Sequence, residues 1–276
     1  MKNRPANFIP MAQRPGRLTQ PWRTIRSIIA LILREMTTTY GRSPGGYIWA
    51  FLEPIGSILV LTLVISLGLR LRQPSLGVNF AMFYATGVLV FGMYQSTQSK
   101  VAKSISYSRA LLRYQSVRFF DTIIARVILN FITQASVMLI IFAVIAGFAE
   151  TRTQMDFRFV LLAMMMAAAL GAGLGVINAL LMPLFPVYAS IFGILTTPLF
   201  FTSGVLFLYE DLPSGAQGVA WYNPLIHITA MMRHGFYAQY DAEFVSPMFV
   251  FTISLVLGVI GFALISRYYR YVVDRS

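Results

Sequence analysis

Few residues in this chain are placed to do chemistry. Its two histidines, His227 and His234, stand seven residues apart. A metal could bridge that spacing on one helix face only with a third ligand, and none lies nearby in sequence. Glu210 and Asp211 are the one adjacent acidic pair. There are no cysteines, so disulfides, thiolate metal sites and a Cys nucleophile are excluded. The three lysines are Lys2, Lys100 and Lys103, and none follows a glycine. No G-x-x-x-x-G-K-[ST] loop therefore exists to cradle nucleotide phosphates. HExxH and GxSxG are missing too. No catalytic residues, no metal site and no directly bound cofactor are expected.

The elements that must position what remains are apolar. Hydrophobic residues make up 57% of the 276 and charged residues 12%, about half the charged share of a soluble domain. Mean hydropathy is +0.67. Charges fall in blocks separated by apolar runs of about 20 residues, the length that crosses a hydrocarbon core. The net charge of +12 reads as basic residues flanking membrane spans. No soluble domain is left to read nucleic acid, so no nucleic-acid partner is expected.

The spacing predicts an all-α integral membrane protein with six transmembrane helices. They cover about 47–69, 80–99, 122–148, 159–181, 187–208 and 245–266. Before them, residues 1–46 form a cytoplasmic segment, in which Trp22, Ile25, Ile29, Ile32 and Met36 recur at helical spacing. With Arg23, Arg26 and Arg34 largely off that stripe, it reads as an amphipathic helix lying in the membrane interface. A helix packed on protein is the competing reading. Residues 267–276 form a short tail, and the whole chain, 1–276, reads as a single transmembrane domain. In span three, Asn130, Thr133 and Gln134 mark a protein-facing side. In span four, Gly171 and Gly175 have the spacing that permits close helix approach.

Lysine and arginine placement sets the orientation. Seventeen of the 22 fall before span one, in the loop between spans two and three, or in the tail. Both termini are therefore expected in the cytoplasm. Residues 209–244 lie outside, yet contain an apolar stretch that opens at Asn223-Pro224, a capping residue followed by a good first helical residue. One or two external re-entrant helices are expected between spans five and six. Nothing at the N-terminus reads as a cleavable signal peptide. Glu53, Asp121 and Arg126 all fall near an interface, which gives weak support to an ion relay.

Three stretches together resemble the type-2 ABC exporter permeases. They are Arg34-Glu35 with Tyr40-Gly41, Gly46-Tyr47, Trp49-Ala50 and Leu52-Glu53-Pro54; Asp121-Thr122-Ile123-Ile124-Ala125-Arg126; and Asn223-Pro224-Leu225-x-His227 six residues before Arg233. The second is similar to the capsular-polysaccharide branch. The resemblance implies a homodimer with two copies of a separate ATPase subunit, on which ATP and Mg would bind. It implies export of a lipid-linked capsular polysaccharide across the bacterial inner membrane, with periplasmic and outer-membrane proteins continuing the path.

A chain without a nucleotide site needs an energised partner on its cytoplasmic face. The loop Lys100–Arg118 is the expected contact, with Arg109, Leu111, Leu112, Arg113 and Tyr114 on a short coupling helix. Attraction of the same loop to anionic lipid headgroups is the alternative. Met182–Pro186 would be a smaller second contact. Candidates for the polymer path are Arg34 and Arg42 near the entrance, the aromatics Tyr84, Tyr94, Tyr188, Phe200, Phe201, Trp221 and Tyr222, and Arg233. Belt or core packing competes for each aromatic. Arg34 and Glu35 are read either as a pair or as part of a gate. Rival functions are an ABC-2 permease for O-antigen, teichoic acid or a small drug, a membrane glycosyl or lipid transferase, and a stand-alone channel.

Overall fold

A computed structural model describes residues 20–40, 46–68, 73–105, 107, 119–151 and 153–275. Side chains within 20–23, 37–40, 46–47 and 269–275 are left aside. Among the described residues every regular element is helical: α1 (Gln20–Tyr40), α2 (Gly46–Gly68), α3 (Phe80–Ala102), α4 (Phe119–Phe148), α5 (Phe157–Leu184), α6 (Pro186–Thr202), α7 (Ser214–Ala220), α8 (Pro224–Phe236) and α9 (Pro247–Arg275). A single helical turn, Tyr209–Asp211, precedes α7. Four helices are long and apolar enough to cross a membrane: α2, α4, α5 and α9. Outside that group, α3 turns polar over Gln95–Lys100, and α6 has only 17 residues.

Local chemistry sets the helix starts. Asn79 accepts from the Met82 N–H at 3.1 Å before α3, and Asp156 accepts from the Arg158 N–H at 2.9 Å before α5. Asn223 accepts from the Leu225 N–H at 3.1 Å with Pro224 as the first helical residue. The last start is the one that Asn223-Pro224 predicts.

At the centre lies α5, flanked by α3 and α9. Its glycines let both neighbours come close. A Cβ at Gly171 would stand 2.6 Å from the Tyr94 carbonyl oxygen of α3, and one at Gly175 would stand 2.7 Å from Val101 Cβ. On the other side Gly173 meets the Ser254 carbonyl of α9. The short helix α8 closes one end. Phe142 of α4 touches Phe236 with ring centroids 4.3 Å apart. The loop before α5 is stapled to it by the Asp156 N–H donating to the Gly235 carbonyl at 2.8 Å. At the other end α1 lies along α4.

Two helix bounds differ from expectation. Span five was expected to continue to residue 208, but α6 stops at Thr202. Gly204 turns the chain with φ +70°, and the carbonyls that follow are claimed by side chains of α8. The sixth span continues as α9 through the tail to Arg275. On α1, Ile25, Ile29, Leu33 and Met36 form the exposed stripe, while Ile32 is turned partly inward.

Candidate functional site

At the α1 end, three helices converge on one guanidinium. Arg126, early in α4, is 6% exposed and meets the Glu35 carboxylate of α1 at 2.9 Å. Its Nη1 donates to the Lys100 carbonyl at the end of α3, also at 2.9 Å. The Tyr107 ring lies 5.1 Å from the same guanidinium. The group therefore joins α1, α3 and α4 close to the end of α3. Neighbours in a helix do not face each other, and Glu35 reaches across to α4.

In mid-bundle, α4 is bonded to α3 through polar side chains. Asn130 Nδ2 donates to Thr97 Oγ1 at 2.7 Å and to Ser96 Oγ at 3.0 Å. Gln134 Nε2 donates to Ser96 Oγ at 3.0 Å. Thr133 turns back to the Leu129 carbonyl of its own helix. In an apolar surround such paired groups pin one helix register to the other.

At the α8 end the organising group is Arg233, 1% exposed. Its Nη1 donates to the Phe207 carbonyl at 2.7 Å and Nη2 to the Val205 carbonyl at 2.9 Å. The guanidinium stands 4.1 Å from the centre of the Phe83 ring. Burial pulls its pKa down to about 10, which leaves it charged at neutral pH. Thr229 donates to the Ser203 carbonyl at 2.8 Å and Asn223 to the Thr202 carbonyl at 3.0 Å. Side chains of α8 thus take over the carbonyls that a longer α6 would have bonded internally. Beside them, Tyr240 donates to both oxygens of Glu210 at 3.1 Å.

Both histidines are committed to hydrogen bonds. His227 Nδ1 accepts from the Ser246 N–H at 3.2 Å, so its Nε2 carries the hydrogen donated to the Trp221 carbonyl at 2.8 Å. That arrangement holds the ring neutral, and burial lowers its pKa in the same sense. His234 Nδ1 bonds the Tyr240 carbonyl at 2.6 Å. No group of three metal-ligating side chains occurs among the described residues.

The sequence candidates are dispersed. Arg109, Leu111, Leu112, Arg113, Tyr114 and Arg42 lie outside the described residues. Arg34 is on the exposed side of α1. Tyr84 is buried edge-on against Phe83 at 5.3 Å, and Tyr94 is buried against Phe91 at 5.8 Å. Phe200 meets Phe91 at 5.1 Å, and Phe201 beside it is half-exposed. Trp221 is packed on Phe249 at 4.9 Å, whereas Tyr222 is 71% exposed. Tyr188 donates to Asn178 Oδ1 at 2.6 Å. Sequence reasoning missed the reach of Arg126 to Glu35, the Tyr240–Glu210 bond, and the buried amides of Gln98 and Asn178. For Asn178 its polarity inside an apolar run was the available signal, whereas Gln98 stands in the polar stretch Gln95–Lys100 and gave none.

Residues 26–237 match the family described as ABC-2 type transporter. The chain is 31% identical over 245 residues to the capsule polysaccharide export inner-membrane protein BexB of Haemophilus influenzae, covering 88% of this chain and 91% of that one. It is 30% identical over 243 residues to the capsule polysaccharide export inner-membrane protein CtrC of Neisseria meningitidis serogroup B, with the same coverage. Against the polysialic acid transport protein KpsM of Escherichia coli the identity is 28% over 238 residues, covering 86% and 92%.

Proposed function

The chain belongs to the ABC-2 type transporter family, and from that premise we propose that it is the permease subunit of an ATP-driven exporter of lipid-linked capsular polysaccharide. The observation that carries this reading is the near-full-length similarity to relatives named for capsule polysaccharide export. The permease works as a homodimer with two copies of an ATPase subunit, which bind ATP and Mg. The chain itself supplies no nucleotide site. Periplasmic and outer-membrane proteins continue the path.

In this reading α2, α3, α4, α5, α6 and α9 are the six spans of a bacterial inner-membrane protein, with both termini cytoplasmic. The exposed stripe of α1 lies in the cytoplasmic interface, and α7 and α8 are the external re-entrant segment. The partner copy covers α2 and α6: the apolar window of α2 is 6% buried within one chain, and α6 has no buried residue. The basic segment Lys100–Arg118 docks on the ATPase. Arg126, tied to α1, to the Lys100 carbonyl and to Tyr107 of that segment, passes its displacement to the bundle. The half-exposed Phe201 and exposed Tyr222 are the aromatic candidates best placed to meet polymer.

Deleting the gene in its host and comparing surface with intracellular polysaccharide tests the proposal. Loss of surface polymer with accumulation inside is expected. Unchanged surface glycan would send the assignment to small-molecule efflux. Loss from both pools would favour a membrane transferase.

A further inference from the structure

Two carboxamides inside the bundle keep N–H groups that meet no acceptor among the described residues. Gln98 of α3 is 5% exposed and Asn178 of α5 is fully buried, and the side-chain nitrogen of each is unpaired. An unmade hydrogen bond in an apolar interior lowers stability, so each such group in a folded chain needs a reason. The helices that carry them touch at this level. The Gln98 carbonyl would lie 2.9 Å from a Cβ at Gly175, and Asn178 is one turn further along α5. Tyr94 precedes Gln98 by one turn on the same face of α3. Tyr188, from the first turn of α6, donates to Asn178 Oδ1 at 2.6 Å. Three helices therefore place two amides and two phenols at neighbouring levels of the bundle, with no charge among them.

The helix beside this cluster, α6, is lightly anchored. No residue of α6 is buried. Tyr188 ties its beginning to α5, and Asn223 and Thr229 tie its end to α8.

Resting on the permease reading above, we propose that Gln98, Asn178, Tyr94 and Tyr188 form a glycan-contact site, closed here by the Tyr188–Asn178 hydrogen bond. When the start of α6 leaves α5, the amides donate to hydroxyl, ring or carboxylate oxygens of a sugar, and Asn178 Oδ1 becomes free to accept from its hydroxyls. The phenol rings offer flat apolar faces to its C–H edges. The absence of charge in this set suits a sliding polymer. A site on a transport path must bind well enough to admit each unit and weakly enough to release it, and a buried arginine would hold an anionic sugar fast.

Leucine substitutions separate this role from a packing role. Gln98→Leu removes an orphaned donor, so a merely structural Gln98 predicts unchanged or higher thermal stability and unchanged export, whereas Asn178→Leu also takes the acceptor away from the Tyr188 hydroxyl and is expected to lower thermal stability. For both variants the proposal predicts wild-type insertion and a fall in surface polymer of about tenfold or more with polymer retained inside, the loss expected for one hydrogen bond made in transit, and for Gln98→Leu this comes with an unchanged or higher melting temperature. Where a variant does not insert, a second measurement decides. A benzophenone amino acid at Tyr188 should give a light-dependent, glycan-positive adduct in exporting cells, and the same group at Leu139 of α4, 58% exposed, should not. Full export in both leucine variants, or no adduct at Tyr188, overturns the site. If deletion of the whole gene still blocks export in that case, the permease reading stands without it. Unchanged surface glycan on deletion would sink both.

Discussion

The Arg126 guanidinium lies 2.9 Å from the Glu35 carboxylate, closing a contact between residues 91 apart in sequence. Arg126 is 6% exposed and Glu35 28%, so the pair is largely withdrawn from solvent. Removing one partner leaves the other charge poorly solvated, while removing both need cost little.

Glu35→Gln should therefore lower stability by about 1–3 kcal/mol, and adding Arg126→Met to it should recover most of the loss. Thermal unfolding of the detergent-solubilised chain in a double-mutant cycle checks this. Simple additivity would show that the pair is not coupled.

Arg233 bonds two carbonyls with two separate nitrogens, a geometry that lysine cannot reproduce. Arg233→Lys and Arg233→Leu should both destabilise, by about 3–5 kcal/mol for the leucine variant, because the Val205 and Phe207 carbonyls are left unpaired or badly paired. Limited proteolysis between α6 and α7 should accelerate in both.

A Cβ at Gly171 would meet backbone, the Tyr94 carbonyl at 2.6 Å, whereas one at Gly92 meets nothing within 4 Å. Gly171→Ala should cost about 1–3 kcal/mol through forced separation of α3 and α5. Gly92→Ala should be neutral or stabilising by up to about 1 kcal/mol. Equal membrane levels and melting temperatures for the two would contradict the close approach.

The neutral tautomer of His227 is fixed by bonds at both ring nitrogens, and burial lowers its pKa from the ordinary 6.5. Protonation then favours the unfolded chain. Its stabilising contribution is full above pH 6.5 and declines as pH falls from there to the lower folded pKa, below which it is flat. His227→Gln should remove this part of the acid dependence. A melting-temperature profile that is identical in the variant would exclude His227 as its source.

Leu111, Leu112 and Tyr114 carry the coupling proposal. Changing all three to Asp should abolish co-purification of the ATPase while leaving the permease in the membrane. Undiminished co-purification would move the contact elsewhere.

Much of this molecule is set by local pattern. Apolar runs of bilayer length define α2, α4, α5 and α9 because burying a helical backbone in hydrocarbon depends on composition and length alone. Asn223-Pro224 starts a helix, and Gly171 and Gly175 admit α3, for equally local steric reasons. What could not be read locally is which side chains meet across helices. Glu35 looked like a neighbour of Arg34 yet reaches Arg126. Arg233 looked like a group facing a path, but its fork closes on carbonyls of its own chain. The sixth turn expected of α6 never forms, because Thr229 and Arg233, more than twenty residues later, satisfy the carbonyls it would have used. Gln98 and Asn178 come to neighbouring levels only because glycines on α5 let α3 approach. Hydropathy is a property of one helix, whereas pairing depends on the register and rotation of two, and those are decided by packing.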